Sequence, residues 1–235
     1  MLLSITAANA AIATIFLLLS YIIGSIPFGI VIGKGIKKID IREHGSKNIG
    51  STNAIRVLGK KVGFLVFFCD VFKGMLVIII LKALAAFNVW NTPIDLFFYG
   101  AAAILGHFFP VFLNFKGGKG VATSLGVVLI LTPVPAIACL IVFLILLYAT
   151  GYVSVASTGA TITVITTAWI LYAIGIETTN FFDYFISSPG LLVCILYSFI
   201  AALIILKHFK NYKRLLNGTE NNFKKKKKLE QSSNN

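Results

Sequence analysis

Six apolar runs, residues 10–33, 62–86, 96–113, 121–149, 152–175 and 190–206, leave this chain little choice of architecture. A helix needs roughly 17–25 residues to cross the hydrocarbon of a bilayer, and each run reaches that length. The composition agrees: 57% of the residues are hydrophobic, 12% are charged and the mean hydropathy is +0.90, which excludes an ordinary soluble domain. The chain reads as an all-α integral membrane protein. Residues 1–220 are expected to form a single polytopic domain, because nothing outside the runs could form a second core, and residues 221–235 a basic, disordered tail. No Lys or Arg precedes the first run, so the charged start of a signal peptide is missing and the run is expected to stay as a helix.

Topology follows from where the cations sit. Of the 21 Lys and Arg, eight fall in residues 34–61, two in 114–120 and nine in 207–228, whereas 88–95 and 176–189 hold none. Basic loops stay on the cytoplasmic side. The run 121–149 must then double back, because a single crossing would put the nine-charge tail outside, and Thr132-Pro133-Val134-Pro135 is the natural break. A seven-transmembrane-helix bundle results, with the N-terminus outside and the C-terminus cytoplasmic; the arm 121–131 is short and expected to be tilted or packed inside the bundle. The lysines at 224–228 suit an anchor on an anionic leaflet. Nothing resembling a nucleic-acid module accompanies them.

Polar motifs gather in the basic segments. Asn114-Phe115-Lys116-Gly117-Gly118-Lys119-Gly120 opens directly into the helix-forming Val121-Ala122-Thr123-Ser124. A glycine-rich turn at a helix start offers bare N–H groups and a dipole end, and the lysines add full charge, a combination that holds phosphate. It lacks the spacing of a Walker A loop, which disfavours a nucleotide hydrolase. The first basic segment, Asp40 to Arg56, holds Ser46, Asn48, Ser51, Thr52 and Asn53, one of the last three being expected to cap a helix, and Arg56 has a planar fork suited to phosphate. Ser154 and Ser157 start the run 152–175, and His208, Asn211, Arg214 and Glu220 follow the last run. Asp70 and Lys73 share one helical face within an apolar run and are expected to pair in support of the site. His107, among aromatics, is expected to make a structural hydrogen bond. Cys69, Cys139 and Cys194 are far apart in apolar runs and expected to be inert, and no ligand spacing implies a metal.

Four elements in order, Gly24-Ser25-Ile26-Pro27-Phe28-Gly29 with Asp40-Ile41-Arg42, Gly45 to Asn53 with Arg56, Gly106-His107 through Thr123, and His208 through Glu220, resemble the acyl-phosphate-dependent glycerol-3-phosphate acyltransferases of bacterial phospholipid synthesis, the PlsY family. The resemblance implies a seven-helix fold in the bacterial inner membrane, an active site facing the cytoplasm, no cofactor, and transfer of an acyl chain from acyl phosphate to the sn-1 hydroxyl of glycerol 3-phosphate. It places catalytic roles on Ser46, Arg56, Lys119, His208, Asn211 and Glu220. Substrate binding falls on Asn48, Asn53, Lys116, Gly117, Gly118, Gly120, Thr123 and Ser157. Two positions depart from the family: Lys47 stands where glycine is usual and Tyr212 where a branched aliphatic is usual. A non-glycine residue is costly at 47 if φ must be positive there.

The chemistry suits these residue types. An acyl phosphate is already activated, so positioning and charge stabilisation suffice, and no acyl-enzyme need form. Ser46 is expected to hydrogen-bond a phosphate or oxyanion, since no His–Asp pair can be assigned to it. The proton of the attacking hydroxyl could go to His208 or to a substrate phosphate, and the sequence leaves both open. The His-x-x-x-x-Asp signature of thioester-using acyltransferases is absent. An anion transporter is the competing class, but the two halves show no internal repeat and the polar motifs cluster on one side rather than at the midplane. A non-catalytic membrane scaffold would leave the Gly-Lys turn idle.

Overall fold

The computed structural model describes residues 6–175 and 189–224, and every regular element among them is helical. The chain divides into two compact units, one up to Leu131 and one from Thr132 onward. The first contains α1 (Ala7–Ser25), α2 (Phe28–Ile32) with a π-helical turn (Gly33–Lys37), α3 (Ser51–Leu58), α4 (Lys60–Ala86), α5 (Leu96–Phe108) and α6 (Val121–Leu131). The second contains α7 (Pro133–Thr150), α8 (Val153–Ile174), α9 (Leu191–Lys207) and α10 (Phe209–Leu216).

The run 10–33 is not the continuous helix that its hydropathy suggests. It breaks at Ile26-Pro27, because proline has no N–H and pushes the residue before it to extended geometry, here φ −62° and ψ 118°. The break is tolerated in an apolar setting because Lys73 Nζ donates to the Ile26 carbonyl at 2.9 Å. The break expected in 121–149 is present: α6 stops at Leu131 and α7 starts with proline in its first turn, where a missing N–H costs nothing.

Glycines set the packing of the first unit. A Cβ on Gly24 would overlap the Ala103 carbonyl, and one on Gly106 the Tyr21 carbonyl, so α1 and α5 meet backbone to backbone. Gly74 and Gly126 do the same for α4 and α6, against the carbonyls of Thr123 and Val71. Gly63 presses likewise on Ile55 of α3. Polar side chains pin the register: Ser20 Oγ donates to the Tyr99 carbonyl at 2.6 Å, Tyr21 Oη to that of Phe109 at 2.7 Å, and Lys82 Nζ to that of Ile130, in the last turn of α6, at 3.1 Å. These contacts put the turns 26–59 and 109–120 at one end of the unit and Asn9 with Trp90 at the other.

In the second unit α7 and α8 form an antiparallel pair turned by Gly151, whose φ is +78°. Thr132 Oγ1 and Tyr197 Oη, 2.7 Å apart, tie the start of α7 to α9, and Trp169 Nε1 donates to Ser198 Oγ at 3.1 Å across α8 and α9. Beyond α10 the chain returns to the α7–α8 turn: Asn222 Nδ2 donates to the Thr150 carbonyl at 3.2 Å and Phe223 N to that of Gly151 at 2.8 Å. The first residues assigned to the tail are thus docked. Residues 225–235, and 176–188 of the loop without cations, lie outside the described residues.

Among the described residues, five helical stretches are long and apolar enough to span a bilayer, and α9 with α10, bent by 46°, makes a sixth. Large apolar side chains such as Phe68, Leu144, Tyr148 and Phe199 point outward, as a lipid-facing surface requires. The chain is a multi-pass membrane protein. Gly126→Val should force α4 and α6 apart and cost about 3 kcal/mol, since backbone cannot yield as a side chain can, while Gly35→Ala, with no heavy atom within 4 Å of its Cβ, should be near neutral. Thermal unfolding of both purified variants in one detergent checks the contrast.

Candidate active site

In the first unit the segment 40–50 is folded around one buried amide. Asn53, on the first turn of α3, shares its Nδ2 hydrogens among the carbonyls of Ile41, Asn48 and His44 at 2.8, 2.9 and 3.1 Å, and its Oδ1 accepts from Ser46 N at 2.8 Å. Gly45, at φ +60°, leaves Oδ1 room that a Cβ would occupy. Asn53 therefore shapes the loop that presents Ser46, and Arg56 follows one turn later on the same side of α3. The helix cap expected from Ser51, Thr52 or Asn53 is not there: Gly50 is the capping residue and Asn48 Oδ1 accepts from Gly50 N at 2.9 Å. The cluster Ile30, Ile41, Ile49, Ala54, Leu58 and Val66 supports the loop from below, with Leu113 packed on it from the start of the glycine segment. Asp40 pairs with Arg42 at 2.6 Å and Lys34 at 3.1 Å. The hydrogen bond from Arg42 holds the Asp40 carboxyl far below the ordinary carboxylate range.

Lys47 has φ +57°, so the side chain occupies a backbone conformation suited to glycine. Its left-handed geometry is the same physical demand that a glycine at this position would meet.

The glycine segment wraps the end of α5. Gly118 N donates to the His107 carbonyl at 3.1 Å, and a Cβ on Gly117 or Gly118 would strike that carbonyl or the imidazole Nε2. Gly120, at φ +72°, faces the Phe108 ring and turns the chain into α6. Lys116 is exposed and Lys119 half-buried. In the first turn of α6 the Thr123 and Ser124 hydroxyls are buried and make no hydrogen bond among the described residues. Beneath lies the expected pair: Asp70 Oδ1 is 2.8 Å from Lys73 Nζ, both side chains 2% exposed, with His107 Nδ1 at 3.8 Å from the same oxygen.

In the second unit Glu220 is the hub. Its buried carboxylate accepts from Asn211 Nδ2 and Arg214 Nε, each at 2.7 Å, and from Ser154 Oγ at 3.1 Å. Burial opposes its charge, but the hydrogen bonds from Asn211 and Arg214 prevail and lower its pKa below the ordinary value. Ser157, one turn beyond Ser154 on α8, is buried. His208, at the bend between α9 and α10, is 2% exposed; its Nδ1 is 2.8 Å from the Ile204 carbonyl. A carbonyl only accepts, so Nδ1 carries the proton there and Nε2 is the basic nitrogen. Tyr212 stacks on the imidazole at 6.3 Å and its Oη lies 2.7 Å from Thr158 Oγ1, a bond that an aliphatic side chain could not make. Sequence reasoning missed this tie and the anchors at Asn222 and Phe223, which have no local signature. Among the described residues no three His, Cys, Asp or Glu side chains gather to hold a metal ion.

Apolar helices with buried hydroxyl and imidazole groups at their turns and ends, and the Asp70–Lys73 pair within α4, suit a membrane-embedded group-transfer enzyme. A family model described as glycerol-3-phosphate acyltransferase matches residues 14–218, and the chain belongs to that family of acyltransferases. It is 43% identical over 220 residues to a glycerol-3-phosphate acyltransferase of Acholeplasma laidlawii, covering 91% of this chain and 94% of the relative. With one of Fusobacterium nucleatum it shares 45% identity over 210 residues, 89% of this chain and 97% of that one. A crystal structure of PlsY (YgiH), an integral membrane glycerol 3-phosphate acyltransferase in its glycerol 3-phosphate form, superposes with a TM-score of 0.73 at 41% identity, covering 90% of this chain and 95% of that chain.

Lys47→Gly should raise stability by up to about 1 kcal/mol, the left-handed penalty of about 1–2 kcal/mol being partly offset by the greater freedom of unfolded glycine; chemical denaturation in detergent measures it. Because the folded pKa of Glu220 is depressed, its ionised form stabilises the protein above the ordinary carboxyl pKa, and that contribution fades as pH falls through the lower folded value. Glu220→Gln should therefore lower Tm at pH 7, with a deficit that shrinks toward zero on acidification below about pH 4.

Proposed function

We propose that the protein transfers an acyl chain from acyl phosphate to the sn-1 hydroxyl of glycerol 3-phosphate, releasing phosphate and 1-acyl-glycerol 3-phosphate. The observation that carries this reading is the glycine segment seated on His107. It combines backbone N–H groups, Lys116 and Lys119 with the start of α6 and two buried hydroxyls, Thr123 and Ser124, that have donors to spare. The PlsY structures in glycerol 3-phosphate and lysophosphatidic acid forms match the proposed substrate and product.

In the first unit Lys119, with Lys116, Gly117, Gly118, Gly120 and Thr123, holds the phosphate of glycerol 3-phosphate. Arg56 and Ser46, with Asn48 beside them, neutralise the acyl phosphate and the developing oxyanion. Asn53 is the positioning residue for that loop, its amide being committed to it. The sn-1 oxygen attacks the acyl carbon, the carbon–oxygen bond to phosphate breaks, and the hydroxyl proton passes either to a substrate phosphate or to His208 Nε2. Asn211 and Ser157 bind substrate, and Glu220 orients Asn211 and Arg214. In the bilayer the chain makes seven crossings in the bacterial cytoplasmic membrane with its C-terminus inside. That reading is supported by the turns 26–59 and 109–120 sharing one end of the first unit, and by the α7–α8 turn sharing one end of the second with residues 207–224. The acyl chain comes from the lipid side.

Purified protein given acyl phosphate and glycerol 3-phosphate, with no acyl carrier protein or coenzyme A, should release phosphate and form the lysolipid in equal amounts. Arg56→Ala and Lys119→Ala should each cut kcat/KM by about a thousandfold, the scale of a lost transition-state donor. Solute flux across sealed vesicles without product would refute the reading, and near-wild-type turnover by both variants would refute the residue roles.

A further inference from the structure

Two charges sit where they are expensive and where no chemical step uses them. Asp70 and Lys73 lie on α4 beside the outward-facing Phe68 and Phe72, yet each is 2% exposed. Ion pairs buried in apolar surroundings add little stability for their own sake, so their placement needs another reason. Their contacts lead to two places, the α1–α2 break and the seat of the glycine segment. Lys73 Nζ holds the Ile26 carbonyl at the α1–α2 break, 2.9 Å away, and lies 5.6 Å over the Phe28 ring that opens α2. Asp70 faces His107 Nδ1 at 3.8 Å, and the opposite edge of that imidazole, with its backbone carbonyl, is the seat on which Gly117 and Gly118 rest. Gly74, the next residue, abuts the Thr123 carbonyl in the first turn of α6.

We propose that Asp70, Lys73 and His107 form a buried electrostatic strut that positions the glycine segment 117–120 for its anion, acting on the reaction only through that segment. The imidazole is bordered on both edges: the carboxylate lies 3.8 Å from Nδ1 on one side, the glycine backbone is moulded to the other, and Lys73 holds the carboxylate at 2.8 Å while closing the break in the first helix. The strut rests on the reading that this segment binds the phosphate of glycerol 3-phosphate.

Removing one charge strands the other, so the deciding variant is the full-length double substitution Asp70→Asn/Lys73→Met, of similar shape and no net charge, beside Lys73→Arg, which keeps the cation. Two readouts are needed: steady-state kinetics in glycerol 3-phosphate, and hydrogen–deuterium exchange of the amides at 117–122 without substrates. The strut predicts that the double variant folds with a Tm within a few degrees of wild type. It also predicts that KM for glycerol 3-phosphate rises tenfold or more with kcat changed less than threefold, that the 117–122 amides exchange at least tenfold faster, and that Lys73→Arg recovers most of both. A folded double variant with unchanged KM and exchange would overturn the strut. So would failure of the double variant to fold, which would make the pair a clamp for the bundle as a whole. If wild type forms no lysolipid while exchange at 117–122 still quickens in the double variant, the proposed reaction fails and the strut stands.

Discussion

Backbone-to-backbone contact through glycine is the interaction on which the first unit depends. Gly74 and Gly126 bring α4 and α6 together closely enough that a carbonyl of each helix fills the space where a side chain would be. Without a hydrophobic force between helices in lipid, this close van der Waals fit and a few hydrogen bonds supply the adhesion. It also decides depth. α6 meets α4 at Gly74, fourteen residues along from Lys60, so the glycine segment that feeds α6 enters well down the length of α4. The shortness of α6, 11 residues, is what a helix starting part-way along its neighbour requires.

The two units solve one problem with different groups. Each needs a short irregular segment held still, and each uses a single buried polar side chain with several hydrogen-bond partners. In the first, the Asn53 amide takes three carbonyls and one N–H of the loop that carries Ser46. In the second, the Glu220 carboxylate draws in Asn211, Arg214 and Ser154 from two elements. A neutral amide suits a loop of backbone groups, since it both donates and accepts. A carboxylate suits side-chain donors, and its charge-assisted bonds are roughly twice as strong as neutral ones.

Much of the architecture was legible because apolar length and proline are local signals. Hydropathy located the membrane helices, and Pro133 with Pro135 located the break after α6. Hydropathy missed the break at Pro27, since the run is apolar on both sides and the group that makes the break tolerable, Lys73, is 47 residues away. The pairing of Asp70 with Lys73 could be read from a three-residue spacing. The link to His107 could not. The roles of Asn53 and Glu220 as hubs were equally hidden, because their partners lie up to 12 and 66 residues distant with no periodicity to announce them. The strain at Lys47 was foreseen as a condition on φ and is realised at +57°.

The buried start of α6 has a consequence for ionic strength. Mobile salt ions weaken attraction between exposed charges beyond roughly 8 Å at physiological strength, and they cannot crowd around groups enclosed by protein and hydrocarbon. Exposed Lys116 lies within reach of that screening, whereas the dipole of α6 and the hydroxyls of Thr123 and Ser124 lie behind it. If the segment binds the phosphate proposed for it, recruitment of that anion from solution should be sensitive to salt and its retention at the helix start insulated from it.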